Sequence, residues 1–313
     1  MADKRALVTG GSGFIASHLV SRLLSEGYEV AITTRNSSEQ RNPRLADVWR
    51  KIKVIEADIR NRDALTAISR YEPDLVYHMA AYIHVGQSFD QVEECFNTNA
   101  TGTANVLDAS MGCKRFVYMS SSEVYGHQET VPWHETMEPH PISPYSITKY
   151  AGELYCRMYQ AIQSKHPSIV CVRGFNVYGP GQSTKSLIAE VILRCLRGEP
   201  LETTKGEQTR EYTYVSDTVD GLFKAGHYDV PGVVNIASGQ EIRICDLVRK
   251  IAELTETKSK IDIGGKPYRP TEIWRMLADN GKAKAILGWT PKVDLERGLR
   301  LTVAWYRSYL NAH

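Results

Sequence analysis

No run of apolar residues in this 313-residue chain approaches the roughly 20 needed to span a bilayer. Nor does a secretory apolar core follow Met1-Ala2-Asp3-Lys4-Arg5, which leads directly into a strand pattern. No membrane partner is expected, and the cytoplasm is the expected location. An excess of one charge is also missing. The 38 basic and 36 acidic side chains leave a formal charge of +2, too weak a field to hold nucleic acid or an anionic surface. Any anion must be bound locally. Cysteine is sparse, and the spacing of Cys95, Cys113, Cys156, Cys171, Cys195 and Cys245 supports neither a zinc ribbon nor a redox dithiol, which leaves reduced core thiols. The nine histidines are scattered without a His-Glu-x-x-His, so no metal site is expected.

What is present is globular material, 42% hydrophobic and 24% charged, enough for one large core or two linked domains. Strand-length apolar runs at Ala6–Thr9, Val30–Thr33, Val54–Glu56, Leu75–His78, Phe116–Met119 and Ile169–Val172 alternate with helix-period segments. The helices are expected from Gly13 to Ser25, after Asn61, across Asp90–Ser110 and from Ser143 to Gln163. This rhythm predicts an α/β fold, a doubly wound parallel sheet of six or seven strands over residues 1–173. After Gly174 it breaks at Gly179-Pro180-Gly181, and residues 174–313 are expected to form mostly a smaller second domain. Two strand-like pieces near 211–240, Glu211–Val215 and Val233–Ile236, are expected to return to the first sheet.

The first strand runs into Gly10-Gly11-Ser12-Gly13-Phe14-Ile15-Ala16 and then a helix, so backbone N–H groups and a helix N-terminus face whatever sits at the turn. A dinucleotide pyrophosphate fits there, with Gly10, Gly13, Phe14 and Ile15 around it. The second strand ends in Thr33-Thr34-Arg35-Asn36, with no acid until Glu39. An acid there accepts bonds from ribose hydroxyls whereas a cation tolerates a 2′-phosphate, so Arg35 favours NADP(H) and leaves NAD(H) open. Asp58, in Ala57-Asp58-Ile59, is placed for the adenine edge or to cap the next helix. Ala80 and Ala81 are small enough to let the cofactor backbone pass.

With seventeen tyrosines in the chain, one Tyr-x-x-x-Lys is expected by chance, so context decides. Tyr145 and Lys149 open a helix after a proline-rich loop, and their spacing puts both on one face. A cation beside a phenol lowers its pKa, which suits Tyr145 to take a proton from an alcohol as hydride leaves the same carbon.

Taken together the motifs resemble the extended short-chain dehydrogenase/reductase family, the nucleotide-sugar epimerases and dehydratases. They are Thr9–Ala16, His78–Ala81, Asn99–Thr103, Ser120–Gly126, Tyr145–Lys149, Arg173–Pro180, Gln208–Arg210 and Arg269–Glu272. The resemblance implies a Rossmann-type domain with a smaller C-terminal domain that holds a nucleoside diphosphate sugar. It implies that Ser121 hydrogen-bonds the reacting hydroxyl and that Lys149 also holds the nicotinamide ribose. It adds Ile59, Tyr82 and Asn99 to the cofactor contacts and gives Asn176, Arg210 and Arg269 the substrate diphosphate. By the same likeness, helices 90–110 and 143–163 would pair across a two-fold axis in a homodimer.

Within that family the residue at Glu123 separates chemistries. Simple 4-epimerases usually carry an uncharged residue there, whereas 4,6-dehydratases and UDP-glucuronate decarboxylases resemble this chain in having Glu. Dehydratases acting on dTDP-glucose would have Asp at Ser122, which nonetheless stays among the catalytic candidates. The expected reaction is therefore nucleotide-sugar 4,6-dehydration, with Glu123 taking the C5 proton. A 4-epimerase or a 4-ketoreductase acting on GDP-4-keto-6-deoxymannose is the alternative, ahead of a decarboxylase or a non-catalytic dinucleotide sensor. In the blandest case Glu123 only positions a sugar hydroxyl.

Overall fold

Strand β1 (Arg5–Thr9) is buried from Ala6 onward on both faces, as a strand in the middle of a parallel sheet must be. The computed structural model of the chain describes residues 4–36, 42–162, 167–230, 232–268 and 272–312. After β1 come α1 (Phe14–Ser25), β2 (Glu29–Thr34), β3 (Ile52–Glu56), α2 (Thr66–Tyr71), β4 (Leu75–His78), α3 (Val92–Phe96), α4 (Gly102–Ala109), β5 (Arg115–Ser121), α5 (Pro144–Ile162) and β6 (Ser168–Gly174). The second half holds β7 (Asn176–Tyr178), α6 (Leu187–Arg197), β8 (Leu201–Thr203), β9 (Thr209–Tyr214), α7 (Val215–Ala225), β10 (Gly232–Ile236), β11 (Glu241–Arg243), α8 (Ile244–Thr255), β12 (Ile261–Ile263), α9 (Gly281–Leu287) and α10 (Leu295–Ala312).

The main sheet has the order β10-β6-β5-β4-β1-β2-β3, and every neighbouring pair is parallel. The winding reverses between β1 and β4, which opens a crevice beyond the carboxyl ends of those strands. One sheet face packs Leu19 and Leu23 of α1 with Leu222 of α7, and the other packs Ile68, Val106 and Cys156 from α2, α4 and α5. The Rossmann-type α/β expectation holds.

One expectation needs correction. Of the two pieces expected to return to the sheet, only β10 does so, beside β6. Segment 211–215 divides instead between β9, which pairs with β7 and β11 in a separate three-stranded sheet, and the start of α7. The helix expected across 90–110 runs without interruption from Val92 to Ala109, its middle wound as a π-turn at Asn97–Thr101, where the Asn99 side chain is bound across to other elements. Gln163, the expected end of α5, lies outside the described residues. Among those residues no helix is long and apolar enough to cross a membrane, no group of His, Cys, Asp and Glu could hold a metal, and the six cysteines are free and buried.

Glu211 of β9 ties the second sheet to the rest. Fully buried, its carboxylate accepts from the Ala278 and Gly239 N–H groups, both at 2.7 Å, and from the Ser238 hydroxyl at 3.1 Å. Burial pushes its pKa up to about 7 against those donors. The folded chain thus binds this proton more tightly than the unfolded chain, so its stabilising effect is complete below the unfolded value near 4.5 and is lost as pH rises through 7. Wild-type stability should fall between about pH 5 and pH 8 by on the order of 3 kcal/mol through this group. Denaturant melts of Glu211→Gln should lack that decline. Parallel pH profiles for the two proteins would refute the assignment.

Candidate active site

The glycine turn after β1 is shaped by close approach. Gly10 has φ +63°, and a Cβ there would lie 2.8 Å from the Ala80 Cα. Its N–H donates to the Thr33 hydroxyl, and the Thr9 hydroxyl accepts the Met79 and Ala80 N–H groups at 3.0 and 3.1 Å, which locks the β4 exit against the turn. Helix α1 begins at Phe14 with no capping side chain and no acid in its first turn, so its amino end offers N–H groups and positive potential to an anion. These features fit a dinucleotide pyrophosphate over Gly10, Gly13, Phe14 and Ile15.

The adenosine side differs in detail from expectation. Arg35 is largely exposed, with the Glu94 carboxylate 3.9 Å away. Asp58 is held by the Arg60 guanidinium, which donates at 2.6 Å to one oxygen and also bonds Glu94; this pairing keeps the Asp58 carboxyl below its usual pKa. The Asp58 carboxylate also accepts the Arg60 N–H at 2.9 Å and so closes the turn that follows it, whereas the helical run from Asp63 is capped by the Asn61 side chain, which accepts the Asp63 N–H. Ile59 points into the core against Gly102. The Asn99 amide accepts from the Tyr82 N–H at 2.8 Å and donates to the Tyr82 carbonyl at 3.1 Å and to Thr148 at 3.1 Å, so Asn99 fixes the loop carrying Ala81 and Tyr82. Sequence reasoning missed Arg44, whose guanidinium bonds the Gly181 carbonyl at 2.6 Å and the Ser12 carbonyl at 3.4 Å. No motif contains it.

At the carboxyl end of β5 the chain turns through a short 3-10 helix, Ser122–Tyr125, with the Ser121 hydroxyl accepting the Glu123 N–H at 3.2 Å. Tyr145 enters from the first turn of α5, and its phenol meets the same Ser121 hydroxyl with the Glu123 carboxylate in electrostatic range. Ser121, Glu123 and Tyr145 are therefore one cluster. Burial raises the Tyr145 phenol to about 12, Ser121 opposes the rise, and Glu123 adds to it. The expected depression by Lys149 does not dominate here. The Lys149 ammonium donates to the Met119 carbonyl at 2.5 Å and lies 4.4 Å from the Tyr118 ring centroid, and burial pushes its pKa down to about 8.

Ser122 is buried, its hydroxyl on the Met276 sulfur at 3.7 Å. Asn176 also donates to that sulfur, at 3.3 Å, and to the Glu211 carbonyl. Met276 was not foreseen, since a single apolar residue carries no signal. Arg210, which has no acid at helical spacing in the sequence, pairs with Glu272 from across the fold and also bonds the Ile273 carbonyl. Spacing along a helix cannot reveal such a partner. Arg269, the other expected diphosphate ligand, lies outside the described residues.

This fold and this cluster have relatives. The GDP-mannose 4,6 dehydratase family profile matches residues 7–302. The chain is 32% identical over 313 aligned residues to UDP-glucose 4-epimerase of Mycolicibacterium smegmatis, covering 97% of this chain and 99% of that one. The structure of UDP-glucose 4-epimerase from Thermotoga maritima with UDP-glucose superposes with a TM-score of 0.90 at 33% identity, covering 98% of this chain and 99% of that one. TunA, an NAD-dependent NDP-hexosamine 5,6-dehydratase of tunicamycin biosynthesis, superposes at 0.85 with 31% identity, covering 97% and 98%. The chain belongs to the extended short-chain dehydrogenase/reductase family of nucleotide-sugar epimerases, dehydratases and decarboxylases.

Gly10→Ala tests the turn. The substitution forces φ +63° on a residue with a Cβ and drives that atom into backbone. It should cost about 1–2 kcal/mol of stability and weaken binding of the reduced dinucleotide, NADH or NADPH, at least about tenfold, read by thermal melt and fluorescence titration. Undiminished affinity would mean that the pyrophosphate sits elsewhere.

Proposed function

We propose that the protein is a nucleotide-sugar 4,6-dehydratase using NADP(H). The observation that carries this reading is the Glu123 carboxylate in the same cluster as Tyr145 and Ser121. A cofactor over Gly10 and Gly13, flanked by Ala80, Ala81 and the Tyr82 loop, supplies a hydride acceptor and later returns the hydride. Proton handling belongs to the chain. Tyr145 takes the proton of the sugar C4 hydroxyl while Ser121 hydrogen-bonds the same oxygen. Oxidation at C4 makes the C5 proton acidic, and Glu123 removes it. That proton can then pass to the departing C6 hydroxyl, so water leaves without a second acid, which Ser122 on the Met276 sulfur does not supply. Ser121 opposes the burial that holds the phenol at about 12, and the positive charge of an oxidised nicotinamide, when bound, would lower it further.

The nucleoside diphosphate is assigned to the second half of the chain, at Asn176, Arg210 and Arg269. Such binding requires Arg210 to share itself between phosphate oxygens and Glu272. Arg35, exposed at the end of β2, supports NADP(H) over the NAD(H) of relatives such as TunA. The rival reading is a 4-epimerase, favoured by the activity of the M. smegmatis and T. maritima relatives. That reaction needs Tyr145, Lys149 and Ser121 but has no use for an acid at 123.

A panel of UDP-, GDP-, CDP- and dTDP-sugars followed by product mass separates these readings. Loss of one water is expected, with turnover supported by NADP+ and lowered in Arg35→Ala. Glu123→Gln should lose that dehydration by about a hundredfold or more while still binding cofactor. An isomer of unchanged mass, loss of carbon dioxide, gain of two hydrogens, or full turnover in Glu123→Gln would each overturn the assignment.

We infer further a homodimer through α3 and α5. Val92, Phe96, Ile147, Met158 and Ile162 are exposed on these helices, a patch that water alone covers poorly. Light scattering should give twice the chain mass for wild type and a monomer for Ile147→Asp/Met158→Asp. A monomeric wild type would contradict the inference.

A further inference from the structure

Beneath the reacting groups lies a buried ion pair that none of the steps above uses. Tyr145, Lys149 and Glu153 recur every four residues along α5 and so share its inner face. Glu153 is 5% exposed and Arg173 of β6 is 2% exposed. Arg173 donates from Nε to Oε1 at 2.9 Å and from Nη2 to Oε2 at 2.7 Å, a two-pronged grip. The Ser120 hydroxyl adds a third donor at 2.5 Å, one residue beyond the Met119 carbonyl that holds Lys149. The other side of the guanidinium lies 4.5 Å from the Tyr125 ring centroid. Two charges this dry are weak evidence for stability, because an apolar pair of similar volume often serves as well. The pair calls for another purpose.

Lys149 supplies one. The titratable groups facing it are Tyr145, Glu153 and Cys156 of α5, His78 of β4, Tyr118 of β5, Cys171 of β6 and Cys95 of α3, with Arg173 behind Glu153. Burial keeps His78 neutral by pushing its pKa down to about 3, and it pushes Tyr118, Tyr145 and Cys95 up. The thiol of Cys171 is pushed up as well, by its hydrogen bond with the Cys156 thiol and by burial. Glu153 is the one carboxylate among these described neighbours. Burial drives the ammonium toward neutrality and Glu153 opposes it.

We propose that Glu153 is a positioning residue for the reaction: gripped by Arg173 and Ser120 on the same face of α5 as Lys149, its carboxylate holds the Lys149 ammonium in place beside the cofactor site. The proposal rests on the assignment of Tyr145 and Lys149 to the chemistry above and is independent of which sugar product forms. It accounts for the i, i+4, i+8 spacing and for the bidentate arginine. Without Glu153 the ammonium would face Arg173 as an unopposed like charge.

NADPH affinity against pH tests this without any sugar. Fluorescence titration of the full-length protein over roughly pH 6 to 10 should show binding weaken as Lys149 loses its proton. The midpoint should fall by about one pH unit or more in Glu153→Gln. It should fall less in Glu153→Gln/Arg173→Met, where the opposing cation is gone, and the transition should vanish in Lys149→Met. A merely structural role would lower the melting temperature without moving the midpoint in this order. A Glu153→Gln midpoint equal to wild type overturns the proposal, and if that variant does not fold, a double variant equal to wild type does the same. Wild type that binds no NADPH overturns both this proposal and the cofactor reading. Shifted midpoints with no dehydrated sugar leave this proposal standing and remove the dehydratase assignment alone.

Discussion

The meeting of the carboxyl end of β5 with the first turn of α5 is the contact on which the site depends. The Ser121 hydroxyl stands at that junction, accepting the Glu123 N–H and meeting the Tyr145 phenol. Its placement is inherited from the sheet, because the β5–β6 register runs from Arg115 opposite Ser168 to Ser121 opposite Gly174. A slip of one residue would turn Ser121 to the opposite face and leave the phenol without its partner. The register is held from both sides, with Val117 in one hydrophobic core and Phe116 and Tyr118 in the other. The helix is fixed independently, by the Ser88 hydroxyl on the Tyr145 N–H and by the Tyr118 hydroxyl on the Lys149 carbonyl.

Burial has opposite consequences for the two ends of the proposed proton relay. It raises the Tyr145 phenol and lowers the Lys149 ammonium, so each group is pushed toward its neutral form. Proton abstraction needs both charged. In the proposed mechanism a bound oxidised cofactor would favour the ionised phenol, and the Glu153 carboxylate, gripped by Arg173, favours the Lys149 ammonium. A site of this kind is quiet until a cofactor arrives, which suits chemistry in which a reactive ketone must stay out of water.

The parallel sheet was legible from the sequence because strands buried on both faces read as continuous apolar runs, and the glycine turn because its context of strand and helix is local. Tyr145 and Lys149 stood out by spacing and context and Glu123 by the family resemblance, and the fold brings Glu123 and Tyr145 into one cluster. Contacts between distant segments were not. The Glu272 partner of Arg210, the Arg44 strap between Ser12 and Gly181, and the Met276 sulfur under Ser122 and Asn176 all depend on loops brought together by the fold. Glu153 lies between, since its four-residue spacing from Lys149 is visible in the sequence but its partner Arg173 comes from another strand. The fate of β9 was misread because a short apolar run says nothing about which sheet receives it.

The central claim is that the acid at 123 and the phenol at 145 act on one hexose ring. Turnover in heavy water of a sugar labelled with deuterium at C4 tests it most directly. The account predicts a dehydrated product carrying solvent deuterium at C5 and the C4 label transferred to C6. Retention of the original hydrogen at C5 with the label still on C4 would contradict it, because the acid would then have touched no carbon of the substrate.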